Sequence, residues 1–183
     1  MIRFAVCALL LWAPLASASQ WKMVANESRL EFVASYEKQA APGEFRKFDA
    51  NVQFDAKKPA NGRLKVTVET NSADMGSAEL NEGMSTSDWF DMAKYPRAEF
   101  VSTRIERTDA GRYAARGTLR IKGVEHDVTV PFVWTEHGDA ATMTGELTLD
   151  RSHFGIGTGE WSTDDPIGLK VTLKYRVSLK RGH

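Results

Sequence analysis

From Leu169 to Leu179 the sequence alternates without a fault: Leu169, Val171, Leu173, Tyr175, Val177 and Leu179 interleave with Lys170, Thr172, Lys174, Arg176 and Ser178. A period of two places these sets on opposite faces of a strand, so the segment needs a sheet with one dry side and one wet side. The same signature recurs upstream. Phe48, Ala50, Val52 and Phe54 alternate with polar residues, as do Leu64, Val66 and Val68, and a first strand fits Trp21 to Tyr36 with Leu30, Phe32 and Ala34 on one face. Glu99 to Ile105 reads as a strand with Phe100 on one face and Val101 and Ile105 on the other. Tyr113, Ala115, Leu119 and Ile121 are answered by Val124, Val128, Val130, Phe132 and Trp134 across Lys122-Gly123, and Met143, Gly145, Leu147 and Leu149 follow. Turn signals at Pro42-Gly43, Asn61-Gly62, Asp109-Ala110-Gly111 and His137-Gly138-Asp139 punctuate these runs. Eight such strands without a long helical segment predict an all-β fold, an antiparallel barrel or sandwich.

One stretch breaks the alternation. Ser87 or Asp88 can cap a short helical turn, Trp89, Phe90 and Met92 give it an apolar side, and Pro96 stops it before Arg97-Ala98-Glu99-Phe100. This reads as a lid over one end of the barrel. Residues 71–86, which lead into it, show neither period and read as a long excursion. An eight-stranded barrel either fills itself with side chains or holds one small ligand. Ala34, Ala50, Ala98, Ala115, Gly117 and Gly145 fall in strand runs where bulk would otherwise occupy the interior.

Residues 1–18 carry Arg3, an apolar run from Phe4 to Leu15 and Ala16-Ser17-Ala18, which reads as a cleaved secretory signal peptide. The apolar run is too short to span a bilayer. Residues 19–183 then form one domain, not membrane-spanning, large enough to bury a core. The chain's single cysteine, Cys7, leaves with the signal, so the mature chain has neither a disulfide framework nor a cysteine nucleophile. Without Arg3, 23 basic residues face 24 acidic ones, from totals of 24 and 24, with the signs interspersed. No nucleic-acid footprint is implied.

No catalytic constellation is evident. Phe154-Gly155-Ile156-Gly157-Thr158-Gly159 lacks the lysine and following helix of a phosphate loop and reads as a strand bend or bulge. His126, His137 and His153 have no metal-ligand spacing. Asp88, Asp91, Asp164 and Asp165 sit beside turn signals, where carboxylates serve local hydrogen bonds, and there is no G-x-S-x-G. The residues point to a non-enzymatic protein without cofactor or metal.

Three motifs in order carry a resemblance: Asp88-Trp89-Phe90-Asp91 running through Lys94-Tyr95-Pro96 to Ala98-Glu99-Phe100, then Gly117 to Val124, then Arg151-Ser152-His153-Phe154-Gly155-Ile156-Gly157. With them the chain resembles the YceI-like family of secreted, lipocalin-like proteins from Trp21 to Leu179. The resemblance implies an extended eight-stranded antiparallel barrel whose apolar tunnel holds a polyisoprenoid chain, and a periplasmic location. Because some members occur with membrane cytochromes of the b type, it also implies an isoprenoid quinone as ligand and such a cytochrome as partner. Expected ligand contacts are Met84, Trp89 and Phe90 at the lid, Phe154 and Ile156 in the third motif, and the inward residues Phe32, Phe54, Val66, Phe100, Leu119, Ile121, Phe132, Val171, Leu173 and Tyr175. Many members carry Arg-Asp-x-His-Leu where this chain has Leu80, Asn81, Glu82, Gly83 and Met84. If those groups hold a pyrophosphate, this chain should favour an uncharged head: a quinone or free prenol rather than a prenyl pyrophosphate. The alternative is a stress-related protein-interaction module with a filled barrel, in which the 71–86 excursion binds a protein.

Overall fold

The computed structural model describes residues 19–182; the expected signal peptide, residues 1–18, lies outside the described residues. Its strands are β1 (Gln20–Met23), β2 (Arg29–Tyr36), β3 (Gln39–Phe45), β4 (Phe48–Gln53), β5 (Arg63–Glu69), β6 (Ala73–Asp74), β7 (Arg97–Asp109), β8 (Arg112–Ile121), β9 (Val124–His137), β10 (Ala140–Asp150) and β11 (Lys170–Arg181), and its one α-helix is α1 (Ala78–Ser85). Three pairs of segments are single strands broken by a bend. β1 and β2 meet at a 3-10 turn over Ala25–Glu27, β3 and β4 at Arg46-Lys47, and β5 and β6 at a 3-10 turn over Thr70–Ser72. Eight strands therefore form an antiparallel barrel in the order β1, β4, β5, β7, β8, β9, β10, β11, and the pair Trp21 with Arg181 closes it. Closure leaves no edge along that side of the sheet. β2 and β3 continue the wall upward beside β11.

Odd-numbered connections lie at the top and even ones at the bottom, which gives the barrel two unlike ends. The floor end carries residues 54–62, the turn at Ala110-Gly111 and the turn at Gly138-Asp139; the lid end carries α1, residues 86–96, the Lys122-Gly123 turn and residues 151–169. Lys122 and Gly123 adopt φ of 50° and 78°, as a two-residue hairpin requires.

Four local expectations are corrected. Pro42-Gly43 does not turn the chain but lies within β3, paired with Val33 and Phe32; the hairpin turns at Glu37-Lys38, both at positive φ. Gly43 is there because a Cβ would run into the Phe32 ring. Asn61-Gly62 closes a longer connection, with a 3-10 turn over Pro59–Asn61, rather than a two-residue hairpin. Phe100 and Ile105 share the inner face, 5% and 1% exposed, because a bulge between Ser102 and Arg104 shifts the alternation by one. The helix belongs to the excursion, not to the lid stretch: Ser77 caps α1 by accepting from the Leu80 amide, and residues 87–95 are successive turns with Asp91 at φ 47°.

Candidate functional site

The inner wall of the barrel lines an apolar cavity of about 110 Å3 at mid-height. Its wall is built from the inward positions of every strand around it: Leu30 of β2, Phe48 of β4, Val66 and Val68 of β5, Phe100 of β7, Leu119 of β8, Val128 and Val130 of β9, Leu147 of β10, and Leu173 and Tyr175 of β11. The period of two predicted from sequence puts these residues together. The one hydroxyl among them, on Tyr175, is directed away from the cavity and donates to the Pro131 carbonyl. Burial, with the Glu146 carboxylate nearby, pushes that phenol well above its ordinary range, so it stays a neutral donor.

Below the cavity lies an aromatic floor. Phe54 is 1% exposed and meets Tyr113, Phe132 and Trp134 edge-on at 4.9, 5.5 and 4.8 Å between ring centres. Trp21 meets Trp134 at 5.3 Å, donates its indole N–H to the Phe54 carbonyl at 3.0 Å, and carries the Arg181 guanidinium 4.5 Å above its ring. Above the cavity lies a softer roof. Phe32, Ala73 and Met84 are buried there with Phe45, Met75, Phe90, Met92, Val171 and Leu173 packed against them. Three methionines in one small cluster make a surface that can repack.

The roof is held down by a polar frame centred on Arg151. Its side chain is buried, and its five N–H groups face six backbone carbonyls, those of Gly168, Ile156, Gly157, Trp161, Thr163 and Ile167, at 2.7 to 3.2 Å, with the two N–H groups of Nη2 shared among the last three. Burial lowers its pKa from the usual arginine value, yet the carbonyl dipoles that surround it replace the lost water. Loop 151–169 then holds the lid stretch: Gly157 and Thr158 donate their amides to the Asp88 carbonyl at 2.7 and 3.0 Å, and the Thr158 hydroxyl donates to the Asp88 carboxylate at 2.8 Å. Lys122, from the tip of the β8–β9 hairpin, donates to the carbonyls of Ser87 and Gly155 at 2.7 and 2.6 Å, which joins the two segments a second time.

The profile of the YceI-like domain matches residues 21–179, nearly all of the described barrel. The chain belongs to the YceI-like family. Among relatives of this YceI-like chain, a UPF0312 protein of Pseudomonas syringae pv. tomato is 30% identical over 138 residues, 72% of this chain and 71% of that protein. A UPF0312 protein of Shewanella denitrificans is 36% identical over 120 residues, 62% of this chain and 63% of its own. The crystal structure of Burkholderia cenocepacia BcnA superposes with a TM-score of 0.83 at 34% identity, covering 85% of this chain and 98% of that one. A polyisoprenoid-binding domain from Saccharophagus degradans, implicated in plant cell wall breakdown, has a TM-score of 0.70 at 13% identity, over 88% and 98% of the two chains; at that identity the likeness is of fold.

Within this YceI-like barrel the expected contact residues divide by height. Val66, Phe100, Leu119, Leu173 and Tyr175 line the cavity. Phe54 and Phe132 lie in the floor, and Phe32, Met84, Phe90 and Val171 in the roof. Trp89 does not face the interior: its ring lies 5.4 Å from the Arg151 guanidinium and 6.1 Å from the Trp161 ring, so it belongs to the polar frame. Phe154 and Ile156 are buried in loop 151–169, where Phe154 packs edge-on against His126, and Ile121 is half-buried at the top of β8. The third motif is thus a loop with Gly155 at φ 62°, rather than a strand bend. His126 and His153 have ring centres 5.6 Å apart, and among the described residues no group of three or more His, Cys, Asp or Glu is placed to hold a metal. No described helix is long and apolar enough to cross a membrane.

The positions where many members carry Arg-Asp-x-His-Leu fall on α1. Leu80, Glu82 and Gly83 are exposed, Met84 turns into the roof, and Asn81 is structural: its side chain accepts from the Met75 amide at 2.9 Å and donates to Asp74 at 2.8 Å. Sequence reasoning missed Arg151 as the organising residue. An arginine beside Asp150 reads as a surface ion pair, and nothing local indicates that its acceptors are the carbonyls of a loop extending 17 residues onward.

Proposed function

We propose that this protein binds an isoprenoid lipid by its tail, without catalysis, and carries or stores it in the periplasm. The observation that carries the reading is the apolar cavity inside the barrel, walled by eight strands and bounded by a rigid aromatic floor and a methionine-rich roof. A dry cavity of about 150 Å3 admits benzene, so one of about 110 Å3 seats roughly one five-carbon unit. The rest of a longer tail takes its room from the roof, where Met75, Met84 and Met92 can change rotamer at low cost. Burying about 20 tail carbons at roughly 0.8 kcal/mol each gives on the order of 16 kcal/mol, against an association cost of about 4–15 kcal/mol. The tail alone can supply the affinity.

With Leu80, Asn81, Glu82 and Gly83 at the positions discussed above, no basic cluster marks the roof-side helix, which favours an uncharged head: a prenol or a quinone. A quinone ligand would in turn fit a membrane cytochrome of the b type as the partner. The polyisoprenoid-binding description of the Saccharophagus domain supports the tail chemistry. The interaction-module alternative gains one residue, Leu80, which is 50% exposed on the excursion; a single exposed leucine is ordinary for a soluble surface.

The test is native mass spectrometry of the protein purified from its own host without detergent, followed by extraction of any released lipid. A stoichiometric isoprenoid is expected. Protein that emerges empty, and that takes up neither added prenols nor quinones, overturns the reading.

A further inference from the structure

The barrel wall is not hydrogen-bonded all the way up. β9 and β10 are ring neighbours, yet they pair only over Val133–His137 with Ala140–Thr144. Above that zone β10 continues to Asp150 paired with β11 alone, and β9 continues from Val124 paired with β8 alone. The split opens at Pro131, which has no N–H to give to a neighbouring strand. Its carbonyl is taken instead by the Tyr175 hydroxyl, reaching from β11 across β10. β10 lets the ring pass because its residue there is Gly145, the register partner of Tyr175; a Cβ at Gly145 would strike both the phenol and the Pro131 carbonyl. One side chain therefore bridges three strands at the base of the split.

The space on each side of this bridge is different. Inward lies the apolar cavity, which Tyr175 lines with Val128, Val130 and Leu147. Outward lies a surface groove of about 310 Å3 that shares Pro131 and Gly145 with the split and is bordered by Arg112, Thr144 and Glu146. Its two charged borders have opposite sign, so the groove selects for neither an anion nor a cation.

We propose that the split between β9 and β10 is the portal through which a lipid tail enters the barrel, that Tyr175 is its latch, and that the outer groove holds the ligand's uncharged, oxygen-bearing head. This rests on the tail-binding reading above and adds the route and the head site to it. The competing route is the lid end. There Arg151 with its six carbonyl acceptors, three contacts at Asp88 and two at Lys122 hold the lid stretch and loop 151–169, whereas the split is spanned only by the phenol bond at its base and by His126, whose Nε2 lies 2.9 Å from the His153 carbonyl, at its top. When the latch opens, the freed hydroxyl is positioned to donate to a carbonyl or hydroxyl oxygen of the head, exchanging one acceptor for another. Unpaired strand edges above Pro131 let the wall spread without breaking a ladder.

The test follows uptake and release of geranylgeraniol and of a short-tailed benzoquinone by quenching of tryptophan fluorescence. Tyr175→Phe keeps the ring and removes the latch; it is expected to raise both rates at least tenfold, while Lys122→Ala, which loosens the lid, leaves them within twofold. The reverse pattern overturns the portal. A second variant, Thr129→Cys with Thr148→Cys on the exposed faces above the split, is joined after folding by a short bis-maleimide: joined protein is expected to stop taking up probe while the unjoined form continues, and unchanged uptake after joining also overturns the portal. Thr144→Trp, which fills the groove, is expected to weaken the quinone at least tenfold and a head-less hydrocarbon of equal tail hardly at all; equal weakening removes the head site. If the unaltered protein binds neither probe, the tail-binding reading itself has failed, which no outcome at the latch can mimic.

Discussion

Replacing Arg151 by alanine tests whether the polar frame, rather than the apolar roof, keeps the lid end shut. Arg151 is 4% exposed, and its five N–H groups face six carbonyl acceptors. Three of the bonds, to Gly168, Ile156 and Gly157, are buried, and an acceptor left unsatisfied in the interior costs about 1–3 kcal/mol. The bonds to Trp161, Thr163 and Ile167 are nearer solvent, so water replaces them at little cost. The sum is roughly 3–9 kcal/mol before relaxation, and a loop can relax, so a loss of about 3–5 kcal/mol is expected from a total that is typically about 5–15 kcal/mol. Arg151→Lys should recover only a small part, because an ammonium has three donors on a point charge and cannot span acceptors set in a plane. Urea unfolding gives the global loss, and amide hydrogen exchange locates it: protection should disappear across 151–169 and, through the Asp88 contacts, across 86–92, while β7 to β10 keep theirs. A loss under about 1 kcal/mol with loop protection intact would refute the reasoning, since it would mean that the six carbonyls are satisfied without the arginine.

Three further outcomes are expected. Phe54→Ala should cost about 3–5 kcal/mol in thermal or urea unfolding and leave prenol affinity unchanged in the folded protein, because its ring belongs to the floor; Phe100→Ala, on the cavity wall, should change affinity as well. The Asp150 carboxyl is held at about 2, below its ordinary 3.8, first by the Ser152 hydroxyl and then by Lys170, so its contribution is present above about pH 3.8 and lost as pH falls toward 2; Asp150→Asn should flatten acid unfolding in that window. Tyr175 titrates in the opposite sense. Its raised pKa favours the neutral phenol of the folded state, so stability should fall as pH rises above 10, and the phenolate absorbance of Tyr175 should be missing until unfolding, as comparison with Tyr175→Phe would show.

The sequence makes the barrel legible because the dry face of each strand must recur at every second residue, and the hairpins at Lys122-Gly123 and Gly138-Asp139 need residues that tolerate positive φ. What it conceals is height. Phe54 and Phe100 obey the same alternation, and only the registry of β4, β5 and β7 puts one in the floor and the other on the cavity wall. Pro42-Gly43 misleads for a related reason: glycine signals a turn when read locally, but here it makes room for the Phe32 ring from the neighbouring strand. Arg151 and Tyr175 are hidden because both act on backbone carbonyls, Tyr175 on one 44 residues away in sequence. α1 is hidden because its eight residues, with Gly83 among them, are too few to establish a period.

The unequal stiffness of the two ends decides which way a tail must lie. Making room below the cavity would separate Phe54 from three aromatic neighbours and Trp21 from the Phe54 carbonyl, whereas room above it needs rotamer changes in methionines. A tail whose head is at Gly145 and Tyr175 therefore runs upward, beside the first half of β11. From Tyr175 to Lys170 that strand rises five residues, about 17 Å at roughly 3.3 Å each. Affinity across a series of prenols should therefore climb steeply with each added five-carbon unit, by at most about 4 kcal/mol at 0.8 kcal/mol per carbon, until the column is filled, and then level off. Isothermal titration of prenols of increasing length would show the break. A climb that continues undiminished to the longest tails would mean that the floor opens or the lid parts, and the assignment of a rigid floor and a pinned lid would have to be abandoned.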